Sequence, residues 1–129
     1  MANEAVNRVL ADYYRDFSTL NVRAILPYFH EPALLVGPQG VIPIPNHAAL
    51  AVVFGPVMEG LRATGYGRSE LEVGYAKSLS SSAALVVGVA VRYKADGQPM
   101  ERAGITYVLQ KADGGWKFAT VILHDPNPV

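Results

Sequence analysis

The sequence predicts an α+β fold in which a curved, mainly antiparallel sheet wraps three N-terminal helices. Three observations carry that expectation. Apolar residues recur at helical spacing up to about Ala63, they alternate from Tyr66 onward, and turn signals cut this second half into four long strands. With 129 residues the chain has the length of one ordinary domain, expected to span residues 1–129.

Val6, Val9, Leu10, Tyr13 and Phe17 form a stripe over about 3–18, separated by polar residues such as Arg8, Asp12 and Arg15. This pattern is an amphipathic first helix. Asn21 is a capping residue for a short second helix carrying Val22, Ile25, Leu26 and Phe29 on one face, with Pro27 limiting its length. Pro32 stops any helix, so 33–36 reads as a short buried strand ended by Gly37-Pro38-Gln39-Gly40. Residues 41–44 return as its partner, and Pro43 marks that strand as an edge. Asn46 opens a third helix lined by Leu50, Phe54, Val57, Met58 and Leu61, in which Gly55-Pro56 predicts a kink or a break. Leu71, Val73, Tyr75 and Leu79 then alternate with polar or small residues, and 85–93, 105–109 and 116–123 supply three more strands. Turn signals at Ser80-Ser81-Ser82, Ala95-Asp96-Gly97 and Asp113-Gly114-Gly115 make these four an antiparallel meander.

Alternation sorts the long strands into two faces. The bulky set, expected to cover the helices, is Leu71, Val73, Tyr75, Val87, Val89, Val91, Tyr93, Ile105, Tyr107 and Leu109, joined by Trp116, Phe118 and Ile122. The other face carries Gly74, Ala76, Val86, Gly88, Ala90, Gly104, Thr106 and Val108, rimmed by Arg92 and Arg102. A face so poor in charge predicts a homodimer with the second sheet packed against it.

Eleven Lys and Arg balance eleven Asp and Glu, so no net field draws the chain to nucleic acid or an anionic membrane. Without cysteine, thiol nucleophiles, disulfides and thiolate metal sites are excluded. The start Met1-Ala2-Asn3-Glu4 has neither a basic nor an apolar run, and no uninterrupted apolar stretch of about 18 residues occurs. A cytoplasmic protein without membrane association is expected. Three scattered histidines and the lack of a glycine-rich phosphate loop predict neither a bound metal nor a cofactor.

The order of elements resembles the nuclear transport factor 2-like superfamily, the cone-shaped fold of ketosteroid isomerases, polyketide cyclases and scytalone dehydratase. The residues that carry the resemblance are Tyr13, Tyr28-Phe29-His30-Glu31-Pro32-Ala33, Gly37-Pro38-Gln39-Gly40 and Asp113-Gly114-Gly115-Trp116-Lys117-Phe118. Gly65-Tyr66-Gly67-Arg68-Ser69-Glu70-Leu71 and His124-Asp125-Pro126 are similar to an uncharacterised bacterial branch of that superfamily. The resemblance implies a pocket with its mouth near His30 and the 37–40 turn. It also implies that Tyr13 stands where the isomerases keep an oxyanion-hole tyrosine, while Gly37 stands where they keep their aspartate base. Glycine cannot take a proton, and a fold that hosts many activities names none of them.

Two kinds of function follow from the residues. Phe17, Phe54, Met58, Tyr75, Tyr93, Tyr107 and Trp116 fall on stripes expected to face inward, which suits an apolar pocket with phenolic donors for a small ligand bearing a carbonyl or hydroxyl. Met58, as the flexible side chain among rigid aromatics, should sit beside the remaining space. An enzyme of isomerase, dehydratase or hydrolase type would instead use His30 or His124 as base, with Glu31 or Asp125 beside them, and Tyr13 as oxyanion donor; a structural dimeric module would hold no ligand. Tyr13 also reads as a core residue, His30 and Glu31 as helix-end residues, His47 as a surface imidazole, and 125–128 as a strand-ending turn. Convergence of a histidine with the Tyr13 hydroxyl in one cavity separates the two functions.

Overall fold

A computed structural model describes residues 3–113 and 115–126. Gly114 and the Asn127-Pro128 part of the expected C-terminal turn lie outside the described residues. The elements are α1 (Glu4–Phe17), α2 (Val22–Ile25) running into a 3-10 turn (Leu26–Tyr28), β1 (Phe29–Gly37), β2 (Gly40–Ile44), α3 (His47–Ala63), β3 (Tyr66–Ser78), β4 (Ala83–Lys94), β5 (Pro99–Ala112) and β6 (Gly115–His124). One curved sheet, ordered β2-β1-β6-β5-β4-β3, packs on the helices, which is the expected α+β class. Every neighbouring pair of strands is antiparallel except β1–β6, which is parallel. No helix among the described residues is long and apolar enough to cross a membrane.

Asparagines start all three helices. The Asn3 side chain accepts from the N–H groups of Ala5 and Val6, Asn21 from Arg23, and Asn46 from Ala49, each satisfying donors that the first turn leaves unpaired. The stripe of α1 buries Val6, Leu10, Tyr13, Tyr14 and Phe17 against the sheet. Pro56 neither breaks nor ends α3. The carbonyl it deprives of a partner belongs to Val52, which is 75% exposed, so water can take that bond. Pro43 lies on β2, an edge of the sheet, where a missing N–H costs no ladder bond.

The two faces of the meander differ from the expectation. Opposed residues share a face, and Val86 stands opposite Tyr107, Gly88 opposite Ile105, and Ala84 opposite Leu109. The small residues of β4 therefore face the helices, while Val87, Val89, Val91 and Tyr93 point outward. Both parities of this strand are apolar, so hydropathy alone could not choose between them. The first helix brings large rings, Tyr13 and Tyr14, against a β5–β6 face holding Tyr107 and Phe118, and small residues on β4 leave room for them. Register shifts explain two further corrections. One between Val73 and Tyr75 turns Tyr75 outward, 51% exposed, and Ala76 inward. The other leaves Ala119 as an extra residue on β6, so Val121 opposes Tyr107 inside while Ile122 opposes Thr106 outside.

Candidate functional site

A cavity of about 410 Å³ lies between the helices and the sheet. From α1 come Tyr13, Tyr14 and Phe17, and from α3 come Val53, Phe54 and Val57. The sheet contributes Ser69, Ala90, Arg92, Ile105, Tyr107, Val121 and Leu123, and the β1–β2 turn from Gly37 to Gly40 closes one side. Exposed Pro38, Gln39, Ile42, Val57 and Leu123 mark the mouth. The space exists because small Ala90 stands on the inner face where a branched residue would fill it.

Phenols form the deep wall. The hydroxyls of Tyr14 and Tyr107 lie 2.6 Å apart and are hydrogen-bonded to each other. Tyr13 packs edge-on against Phe118 with ring centroids 4.8 Å apart, and its hydroxyl makes no hydrogen bond to any described residue. Among the described residues no enclosed side-chain polar atom lacks a partner, so the Tyr13 hydroxyl reaches the open volume of the cavity. Burial, then the adjacent Tyr14, raises the Tyr13 phenol far above its ordinary value. Burial pushes Tyr14 up to about 12 against the lowering effect of its bond with Tyr107, and raises Tyr107 as well. At neutral pH all three are protonated donors.

Arg92 is the sole charged side chain among the described lining residues. Its guanidinium lies 5.9 Å from the centroid of the Phe17 ring, and its Nη1 donates to Glu101 at 2.7 Å. Ser69, opposite Arg92 in the β3–β4 register, shares a 2.6 Å hydrogen bond with the Tyr66 hydroxyl and donates its N–H to Ser18.

The histidines stand elsewhere. His30 donates from Nε2 to the Gln110 carbonyl, and His47 donates from Nε2 to the Phe29 carbonyl. Glu31 turns from His30 toward α3, where it accepts the His47 N–H at 2.7 Å and so caps that helix. The extra residue at Ala119 puts His124 on the outer face, where its Nδ1 donates to the Asp125 carbonyl and its Nε2 meets the Thr106 hydroxyl at 2.8 Å. Among the described residues, the lining contains no histidine, aspartate or glutamate, and no three such groups gather as a metal would need.

Of the residues singled out from the sequence, Tyr13, Phe17, Phe54 and Tyr107 meet at the cavity. Met58 is buried beneath α3 and outside the lining, because the turn of helix carrying Val53, Phe54 and Val57 faces the space instead. Trp116 is buried in the core and also outside the lining, at the β6 end paired with Lys111. Tyr75 and Tyr93 are on the outer face, Tyr93 carrying the Arg68 guanidinium 4.3 Å above its ring. The mouth adjoins the 37–40 turn and not His30. Sequence reasoning missed Tyr14, Ser69 and Arg92 as wall residues. The sequence carries a signal for Arg92, a lone cation in the same parity as Gly88 and Ala90, which strand alternation alone places on the outer rim with them.

Six strands curved over three helices, with an apolar cavity held between the layers, define the cystatin-like α+β cone. Within that class the chain belongs to the family described as NTF2-like protein (DUF6841), matched over residues 3–126. It is similar in fold to an NTF-2 like protein of unknown function from Shewanella oneidensis MR-1, with a TM-score of 0.75 and 18% identity over 97% of this chain and 100% of that one. A ketosteroid isomerase-like protein from Erwinia carotovora atroseptica SCRI1043 gives 0.70 and 19% over 97% and 96%. A domain of unknown function with a cystatin-like fold from Nostoc punctiforme PCC 73102 gives 0.71 and 16% over 100% and 81%. Identities this low establish a shared fold and no shared activity. No functionally curated protein matches the chain.

Proposed function

We propose that the protein binds a small, mostly apolar molecule in the cavity between its helices and its sheet. The observation that carries this reading is a space of about 410 Å³ with apolar walls, into which the Tyr13 hydroxyl projects without a partner among the described residues. Volume and lining both fall in the range of small-molecule sites. A carbonyl or hydroxyl on the ligand would take the Tyr13 hydrogen bond and fix its orientation. The alternative, proton transfer, needs a base within hydrogen-bond reach of the substrate, and the described lining residues offer no carboxylate or imidazole. Binding is therefore the better-supported reading.

Native mass spectrometry of the purified protein, followed by titration with the fluorescent ketone prodan, tests it. A retained small molecule, or saturable one-to-one enhancement of prodan emission, is expected. No adduct and no saturable enhancement would end the reading.

We also propose that two copies pair through the outer sheet face and not through the expected small-residue face, because Val86, Gly88 and Ala90 turn toward the helices. Val87, Val89, Val108 and Ile122 form its apolar centre, and the Arg102–Glu72 ion pair at 2.9 Å supplies both signs of charge at its border. A two-fold axis would set each sign against its complement on the second copy.

A further inference from the structure

We infer that the molecule held in the cavity is a monoanion, an apolar carboxylate whose charged end docks on Arg92 while its body lies toward Phe54 and Val57. This rests on the small-molecule reading above and adds the chemical class of the ligand. Arg92 is the single charge among the described lining residues, and no carboxylate among them neutralises it. Its partner Glu101 lies outside the lining with a side chain 52% exposed, so water screens that carboxylate and the bond to it mainly orients the guanidinium. Only Nη1 is engaged; no described residue accepts from Nε or Nη2. The Phe17 ring covers one approach to the guanidinium and keeps part of its surroundings apolar, which strengthens a charge placed beside it.

The remaining polar groups agree in sign. Behind the exposed mouth, the side-chain donors without a partner among the described residues are Arg92 Nε and Nη2 and the Tyr13 hydroxyl. Ser69, opposite Arg92, has its oxygen engaged by Tyr66. A cavity whose single charge is positive, with hydroxyls that can turn a donor toward the ligand, is complemented by a ligand that brings acceptors and one negative charge. A planar carboxylate matches the planar fork of an arginine, whereas a doubly charged phosphate would face one cation alone.

Calorimetric titration with 2-naphthoate and with its neutral isostere 2-naphthamide tests the inference. The wild-type protein is expected to bind naphthoate about tenfold more tightly than naphthamide, as one charge-assisted contact would give. Arg92→Met should remove that preference, weakening naphthoate about tenfold more than naphthamide. Glu101→Gln, on the exposed side, should strengthen naphthoate binding severalfold and not move naphthamide, and it decides the matter should Arg92→Met fail to fold. Equal affinities in the wild type, or a preference that survives Arg92→Met, would overturn the anion assignment. Saturable prodan binding alongside either result would leave the small-molecule reading standing, whereas failure of prodan, naphthoate and naphthamide together would remove both.

Discussion

The hydroxyls of Tyr14 on α1 and Tyr107 on β5 meet at 2.6 Å, a buried hydrogen bond between residues 93 positions apart that ties the first helix to the sheet. Each phenol is the other's partner, and both line the cavity. Removing one hydroxyl strands the second. Tyr14→Phe and Tyr107→Phe are each expected to cost about 1 kcal/mol, and the double variant less than the sum of the two. A urea-unfolding double-mutant cycle measures this, and strictly additive costs would deny the bond a role in stability.

The same phenols set an alkaline limit. An unfolded chain releases phenolic protons near the ordinary value of 10, whereas the folded chain holds that of Tyr14 up to about 12 because burial disfavours the phenolate. Above pH 10 the unfolded state then binds fewer protons than the folded one, so stability falls as pH rises through that window. Tyr13 and Tyr107, shifted the same way, add to the slope. Urea midpoints should decline from about pH 10 onward, and less steeply in Tyr14→Phe. A midpoint independent of pH up to 11 would contradict the burial of these groups.

Glycines predict changes of opposite sign. A Cβ at Gly104 would run into the Asp125 carbonyl oxygen and lie 2.5 Å from His124 Nδ1, and one at Gly88 would lie 2.5 Å from the Glu72 carbonyl oxygen. Gly104→Ala and Gly88→Ala should each cost roughly 1–3 kcal/mol as backbone is forced apart. Gly60, in α3, has open space around the same atom. Gly60→Ala should stabilise by about 0.5–1 kcal/mol through helix propensity. Thermal unfolding of the three variants checks both signs at once.

Pairing through the outer sheet face gives a prediction about mass. Light scattering at micromolar concentration should report twice the chain mass for the wild type. Val87→Lys, which sets a charge in the middle of that face opposite Thr106, should report the single chain with an unchanged circular dichroism spectrum. A wild type that scatters as one chain would dismiss the pairing.

Periodicity and caps were enough to read the helices and the meander, because Asn3, Asn21 and Asn46 act within their own first turns and the α1 stripe obeys one period. The strand faces were a different matter. On β4 both Val87 and Val86 are apolar, and only packing in the core beside Tyr107 decides that Val86 turns inward. At Ala119 one extra residue reverses the alternation, which moved His124 from the expected pocket face to the outer one. Glu31 was paired with its neighbour His30 by adjacency, while the fold brings it to His47, 16 positions on. The site was partly legible in Tyr13, Phe17, Phe54 and Tyr107, whose helical or strand parity placed them correctly, and illegible wherever a register shift or a long-range contact intervened.

Volume separates two substitutions that look alike on paper. Met58 is 2% exposed and stands outside the cavity lining, so Met58→Trp adds a large ring to packed core and should cost roughly 1–3 kcal/mol. Ala90 faces the open space from β4, so Ala90→Leu has room for its added carbons and should leave stability within about 1 kcal/mol of the wild type. Their effects on binding should be reversed. Ala90→Leu occupies the volume that prodan would fill and should weaken its binding by tenfold or more, whereas Met58→Trp, where it folds, should retain it. Urea unfolding and prodan titration of both variants measure the contrast. If Ala90→Leu is as destabilising as Met58→Trp, the space beside Ala90 is closed in solution; if it folds well and binds prodan as the wild type does, the probe is bound somewhere else.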